Sequence, residues 1–287
     1  MSLGLTKTKR RIHSVQSTQK ITKAMELVAS VKLKRFRREF ETGDAYTVAL
    51  ARIIGHLFAY DSATKTHYSK ENEDVEGSLY IVITSNLGLC AGYNNEIFKY
   101  VDSHVDPEKD MIFPIGEKGK AHFTADPRYK IVETGFSELD LSMDPRLIGE
   151  ACQNIKDIFN HRVVKKVVLV YTRYVNSLSF VPDMAQLLPV SIEPVPYSDE
   201  EYAPPIFEPS AREQIHLLLP QYLASILISK LNESQLSEQA SRRRAMENAN
   251  DNADELLSKL TIEYNKARQA SITQEIVEVV SGSNQGN

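Results

Sequence analysis

The sequence has no tryptophan, two cysteines and only twelve glycines among its 287 residues. Cys90 and Cys152 are too few for a disulfide framework and stand apart from any Cys/His cluster. Neither a small disulfide-bonded scaffold nor a zinc module is expected, and a reducing compartment is the simple reading. The seven histidines, at 13, 56, 67, 104, 122, 161 and 216, show no HxxxH or HExxH spacing, so no metal site is expected. Long apolar runs are also missing. The best stretch, residues 215–231, is broken by His216, Pro220, Gln221 and Lys230, short of the about 18 uninterrupted apolar residues of a membrane span. The scarcity of glycine excludes a collagen-like chain, and a hydrophobic content of 42% excludes disorder as the main state.

What is present is unevenly distributed. The net charge is -4, yet residues 1–40 hold eleven basic side chains against Glu26 and Glu39. The rest of the chain is therefore strongly acidic. Such a basic arm suits nucleic acid, a lipid surface or an acidic protein surface, or is simply a solvated helix face. The first 25 residues contain no acid and are rich in Ser and Thr, as an organellar transit peptide is.

Both ends read as long helices. Residues 5–60 contain no proline and only Gly43 and Gly55 as interruptions, so one helix or two abutting helices are expected. Apolar residues at Val15, Ile21, Met25, Val28 and Val31 suggest a seam, broken by Thr18, Gln19 and Thr22. The other end is more regular: Met246, Ala249, Ala253, Leu256, Leu260, Tyr264 and Ala267 follow coiled-coil spacing. Ser210 with Glu213 makes a capping box, Pro220 either starts or kinks this helix, and Gly282 reads as its stop. A helix from about 220 to 280 would be roughly 90 Å long at 1.5 Å per residue. Only another long helix can cover that, so the two ends are expected to pair antiparallel.

The middle has a different period. Residues 78–84, 110–115 and 165–173 read as short buried strands, with helices near 94–101, 117–125 and 145–160 between them. Alternation of this kind indicates a mostly parallel, doubly wound sheet. Residues 177–194 add a further strand before the acidic turn at 198–202 and Pro204 and Pro205. The expected fold class is thus α/β: a long antiparallel coiled coil of N- and C-terminal helices with an inserted Rossmann-like α/β domain. The expected boundaries are 1–60 for the first shaft helix, 75–205 for the central domain and 210–282 for the second shaft helix.

No catalytic constellation is apparent. The turn after the first strand, SNLGLCAGYNN at 85–95, lies where an α/β sheet would cradle a phosphate. It matches neither GxxxxGK[ST] nor the tight G-x-G of a dinucleotide turn. Its glycines are expected to serve close packing, and Cys90 to be a buried structural thiol. No cofactor is expected.

Two segments are more particular than generic helix. KITKAMELVASVKLKR (20–35) and YNKARQASITQEIVEVVSG (264–282) strongly resemble the two ends of the γ subunits of F-type ATP synthases, bacterial type. SEQASRRRAMENANDNADELL (237–257) and SNLGLCAGYN extend the resemblance over the whole chain in order. It implies a non-catalytic central-stalk rotor, one copy per complex. Its paired helices enter the α3β3 hexamer and its α/β domain sits at the base with the ε subunit and the c-ring of Fo. Rotation would couple ion translocation to ATP synthesis or hydrolysis.

Carried over position by position, Lys20, Lys23 and Met25 in KITKAM and Arg268, Gln269 and Thr273 in ARQASITQE match contacts to the β subunits. Phe207 and Glu208 match the region that meets ε and the c-ring. The turn departs from the usual DRGLCGG form: Asn86, Leu87 and Ala91 replace Asp, Arg and Gly. The acid-free start overlaps the shaft motif, so the resemblance implies a bacterial protein on the inner face of the plasma membrane, peripheral to it. The rival from another class is a basic-helix coiled-coil nucleic-acid binder, against which the basic residues interleave with the hydrophobic stripe and a whole α/β domain is inserted.

Overall fold

A computed structural model describes residues 3–60, 68–132, 145–194, 207–208 and 210–284. In chain order the elements are α1 (Leu3–Tyr60), β1 (Leu79–Ile83), α2 (Tyr93–His104), β2 (Met111–Ile115), α3 (Glu117–Ala125), β3 (Lys130–Ile131), α4 (Pro145–Asn160), β4 (Val167–Asn176), β5 (Ser179–Leu188) and α5 (Ala211–Asn284). The acidic turn at 198–202, Pro204 and Pro205 lie outside the described residues. The chain divides into two compact units, residues 1–30 with 242–287, and residues 31–241.

The larger unit is built on a five-stranded sheet of order β3-β2-β1-β4-β5. β1 pairs parallel with β2 and β4, β2 parallel with β3, and β4 antiparallel with β5. This is the mostly parallel sheet that the alternating strands and helices predict. β3 was not expected, because two residues are too few to carry a period.

Both faces of the sheet are covered, which is why β1 reads as an unbroken apolar run. Leu79, Ile81 and Ile83 point to one core, which α4 fills with Ile148, Cys152, Ile155 and Phe159 and the long helices fill with Ile54, Leu57 and Leu219. Tyr80 and Val82 point to the other core, with Tyr93, Ile97 and Val101 of α2 and Phe123 of α3. Gly116 has φ +97, and a Cβ there would lie 2.4 Å from the Thr84 carbonyl oxygen. Glycine is the residue that lets β2 turn into α3 against β1. Thr84 fastens the same corner: its hydroxyl donates to the Ile115 carbonyl at 2.9 Å and accepts from the Gly119 N–H at 2.8 Å.

α5 begins as the capping box predicts. The Glu213 N–H donates to Ser210 Oγ at 3.3 Å, and the Ser210 hydroxyl donates to the Glu213 carboxylate at 2.8 Å. The helix runs through Pro220 and continues beyond Gly282 to Asn284. Within the larger unit its buried stripe advances by four residues at a time: Ala211, Ile215, Leu219, Leu223, Leu227 and Leu231. From 231 to 241 every residue is buried, polar ones included.

Candidate functional site

In the smaller unit α1 up to residue 30 runs antiparallel to α5 from Arg242 onward, with Gln19 level with Asp254, and α5 is exposed at every residue from 272 to 277. The covered positions of this α1 segment include Leu5, Thr8, Ile12, Val15, Gln19, Thr22, Glu26 and Ala29, which alternate in steps of three and four, with Met25 and Ser30 half-buried beside them. That is the heptad rhythm of a coiled-coil seam. The opposite segment covers every position its spacing predicts, Met246, Ala249, Ala253, Leu256, Leu260, Tyr264 and Ala267, and adds Asn250 and Leu257 to them.

The seam of α1 includes Val15 and Met25 of the predicted set and departs from it elsewhere. Ile21 and Val28 are 61% and 54% exposed, and Val31, at the start of the larger unit's share of α1, is exposed as well. Of the three polar interruptions, Thr18 faces out and donates to its own helix at the Ser14 carbonyl. Gln19 and Thr22 face in. The Gln19 amide donates to Asp254 Oδ1 at 2.7 Å and, more weakly, to the Asn250 carbonyl at 3.4 Å. The Thr22 hydroxyl donates to Asn250 Oδ1, and the Asn250 amide donates to Glu26 Oε2 at 2.7 Å. Because each inward polar group finds a partner, the seam tolerates them, and their directional bonds set which residue faces which.

Apolar groups are also on the outside. Ile21, Leu27 and Val28 on α1 and Ile262 on α5 are about half exposed or more, and so are Ile272, Ile276 and Val277, which stand past Ser271, the last covered position of α5 before 278. Lys20 and Lys23 are exposed among the first group and Met25 is half-buried. Arg268, Gln269 and Thr273 are exposed among the second, and the Thr273 hydroxyl donates to the Gln269 carbonyl at 2.9 Å. The two sets are not brought together. Gln19 is level with Asp254, and Arg268 stands fourteen residues further along α5, roughly 20 Å at the helical rise. They form two belts on one unit.

Phe207 and Glu208, in the larger unit, are placed differently from each other. The Phe207 ring is half-buried, edge-on to Tyr60 at 4.9 Å, and packs against the main core of its own unit. Glu208 is exposed and its carbonyl accepts from the Gln214 side chain at 2.8 Å.

The glycine-bearing turn is folded on itself. The Ser85 N–H donates to Asn94 Oδ1 at 3.1 Å and the Glu117 N–H to Asn86 Oδ1 at 3.1 Å. These amides, which would have to face a phosphate in a nucleotide cradle, are occupied by asparagine side chains. Leu89 and Ala91 take positive φ (61° and 49°), and Leu87 and Leu89 are exposed. Cys90 is buried and within 3.5 Å of the Asn94 amide nitrogen. Cys152 is buried in the main core, where burial pushes its thiol up to about 12. Among the described residues no group of His, Cys, Asp and Glu could hold a metal ion, and no helix is long and apolar enough to cross a membrane.

Sequence reasoning missed the polar stretch of α5 that meets the sheet. Glu233 is almost fully buried and forms an ion pair with Lys230 at 2.9 Å, while the Lys230 ammonium lies 4.5 Å from the centre of the Tyr171 ring. Burial pulls the Lys230 ammonium down, but its hydrogen bond to Glu233 and the carboxylate charge outweigh that, and it titrates above the ordinary lysine value. Serines and a glutamate in a helix look like a surface face, and nothing local in the sequence marks them as buried.

A family model described as ATP synthase matches residues 4–285. The ATP synthase gamma chain of Mesoplasma florum is 35% identical over 281 residues, covering 98% of each chain. The ATP synthase gamma chain, sodium ion specific, of Acetobacterium woodii is 34% identical and covers 96% of each. In fold, the chain is similar to a rotor chain of the Euglena gracilis mitochondrial ATP synthase in rotational state 1. The TM-score is 0.62 at 18% identity, over 94% of this chain and 99% of that one.

Proposed function

The chain belongs to the ATP synthase gamma-chain family, and from that membership we propose that it works as the rotating shaft inside an α3β3 hexamer, without catalysing chemistry itself. The observation that carries this reading is the apolar outer face of the smaller unit. Its seam holds Leu5, Ala29, Met246 and Leu260 with a polar layer at Gln19, Thr22 and Asn250, yet Ile21, Leu27, Val28, Ile272 and Ile276 face outward as well. An apolar outer face flanked by lysine and arginine needs a surrounding surface that is apolar with acidic rims. A ring of subunits that grips the rod supplies one.

On this reading Lys20, Lys23 and Met25 form one belt of contact with the β subunits, and Arg268, Gln269 and Thr273 a second. Charged partners across each belt would use charge-assisted hydrogen bonds. A shaft that presents different side chains to three equivalent sites holds them in different states. Turning it moves each site through the cycle, because coupling requires only a difference in contact free energy between states. Glu208 and the adjoining surface would face the ε subunit and the c-ring, which places the chain at the membrane as a peripheral subunit on the cytoplasmic side of a bacterial cell. The nucleic-acid-binding alternative gains no support from any of these relatives.

The test is assembly. The purified chain is mixed with α and β subunits, the complex is isolated by size, and ATPase activity is measured with and without the chain. A complex of three α, three β and one copy of the chain, with turnover that depends on it, is the expected outcome. Failure to join a properly formed α3β3 ring would remove the rotor reading.

A further inference from the structure

The sheet reverses its strand order at β1: the chain goes from β1 to β2 on one side and returns through β4 on the other. In a doubly wound sheet the crevice outside the carboxyl ends of the strands at such a reversal is where a ligand binds. Here β1 ends at Ile83, and its last partner on β4 is Val170. β4 runs on through Thr172 and Tyr174 with a backbone edge that β1 no longer covers. A buried edge must find partners for its N–H and C=O groups.

α5 supplies them. The Thr172 N–H donates to Ser234 Oγ at 2.9 Å, and the Ser237 hydroxyl donates to the Thr172 carbonyl at 3.2 Å. The Tyr174 N–H donates to Glu233 Oε1 at 3.1 Å. From the other wall of the crevice, the Cys90 carbonyl in the glycine-bearing turn accepts from the Ser241 hydroxyl at 2.7 Å, and the Tyr93 hydroxyl donates to the Ser234 carbonyl at 3.2 Å. Ser234, Ser237 and Ser241, spaced by three and four, lie on one helical face. All are buried.

We propose that this filled crevice is the torsional grip between the α/β domain and α5, with Ser234, Ser237, Ser241 and Tyr93 as positioning residues for torque transfer. The inference rests on the rotor reading above. Its physical basis is the contrast between two kinds of contact along one helix. The leucine stripe from Leu219 to Leu231 is non-directional and can repack with little loss. Hydrogen bonds weaken steeply with angle, so five of them along one side of the helix resist its turning against the sheet. Short hydroxyl side chains also let the helix axis come close to the strand edge, where a longer side chain would hold it off. α5 then continues beyond Ser241 as part of the two-helix unit, so torque delivered to the domain has a covalent path onward.

The experiment uses the complete ATP synthase in vesicles, carrying the wild-type chain, the S234A/S237A/S241A variant, or Tyr93→Phe. Three quantities are read: ATP hydrolysis, ions moved per ATP hydrolysed, and the angular fluctuation of a bead fixed to the α/β domain while the tip of the shaft is held. For the triple variant the grip predicts a rise in fluctuation, and a fall in ions per ATP, on the order of twofold or more, from loss of several net-stabilising hydrogen bonds. Hydrolysis changes less. Ser237→Thr, which keeps the hydroxyl, should restore most of the loss seen with Ser237→Ala. If the triple variant does not assemble, Tyr93→Phe decides, since it keeps the ring and removes the hydroxyl that bonds Ser234 and Thr172: fluctuation equal to wild type overturns the proposal. A wild-type complex whose turnover does not depend on the chain removes the rotor reading and the grip with it. A rotating wild type beside variants of equal stiffness and equal ions per ATP removes the grip alone.

Discussion

The Gln19 side chain of α1 donates to the Asp254 carboxylate of α5 at 2.7 Å, joining residues 235 positions apart in the chain. One turn away Asn250 bridges Thr22 and Glu26. Polar residues at a helical seam cost stability but fix register and partner number, because apolar residues in their place fit several alignments. Gln19→Leu combined with Asn250→Leu is therefore expected to raise the melting temperature by several degrees while producing multimers or slipped pairs. Thermal unfolding with light scattering of the same samples checks both. A stable monomer with unchanged cross-linking between introduced cysteine pairs would show that register is set elsewhere.

Lys20 and Lys23 are exposed on the outer face, so reversing both charges should leave helix content and melting temperature unchanged. Its effect should fall on assembly. Rim charges act mainly on association rate and salt dependence. The Lys20→Glu, Lys23→Glu variant is expected to join α3β3 about tenfold more slowly at low salt and to converge with wild type at high salt. Stopped-flow assembly across a salt series reads this directly, and parallel curves for the two proteins would count against the proposed belt.

Alkali should destabilise the larger unit. Burial, with the Glu238 charge adding to it, holds the Tyr93 phenol well above its ordinary value, against the weaker pull of its bond to Ser234. Folded Tyr93 stays protonated where the unfolded chain would ionise. The Lys230 ammonium is raised as well. Both groups have folded values above their unfolded ones, so their contribution is intact below the unfolded values, about 10 for each type, and is lost as pH rises beyond them. Urea midpoints should fall from about pH 10 upward, and Tyr93→Phe should flatten that fall. An identical slope in the variant would remove Tyr93 as a cause.

At Gly116 an added methyl meets the Thr84 carbonyl at 2.4 Å and the backbone has φ +97. Gly116→Ala is expected to cost more than about 1 kcal/mol, since both the conformation and the space are wrong. Denaturant unfolding of the full chain measures it. Gly43, where a methyl would have no neighbour within 4 Å, serves as the control and should gain stability on the same change.

Much of this architecture could be read from residue spacing. The repeat from Met246 to Ala267 marks a covered face because small and apolar groups recur there at three and four, and β1 reads as buried because both sheet faces are covered. The seam of α1 is legible only at Val15 and Met25, for a physical reason. Pattern reading puts apolar groups inside, yet Ile21, Val28 and Val31 point outward while Gln19, Thr22 and Glu26 point inward. That inversion cannot be inferred from one helix alone, because the partners that satisfy Gln19 and Thr22 are more than two hundred residues away. The serine face of α5 is harder still. Ser234 and Ser237 acquire their meaning from the edge of β4, which no local pattern reveals.

The four-residue stepping of Ala211, Ile215, Leu219, Leu223, Leu227 and Leu231 has a geometric consequence. An α-helix turns 100° per residue, so each step of four overshoots a full turn by about 40°, and five steps carry the stripe roughly 200° around α5. A stripe that winds in this way is a thread. Turning along this stripe also advances the helix along its axis, as a screw does in a nut, and the hydrogen bonds of the buried stretch from 231 to 241 oppose that advance as well as the turn.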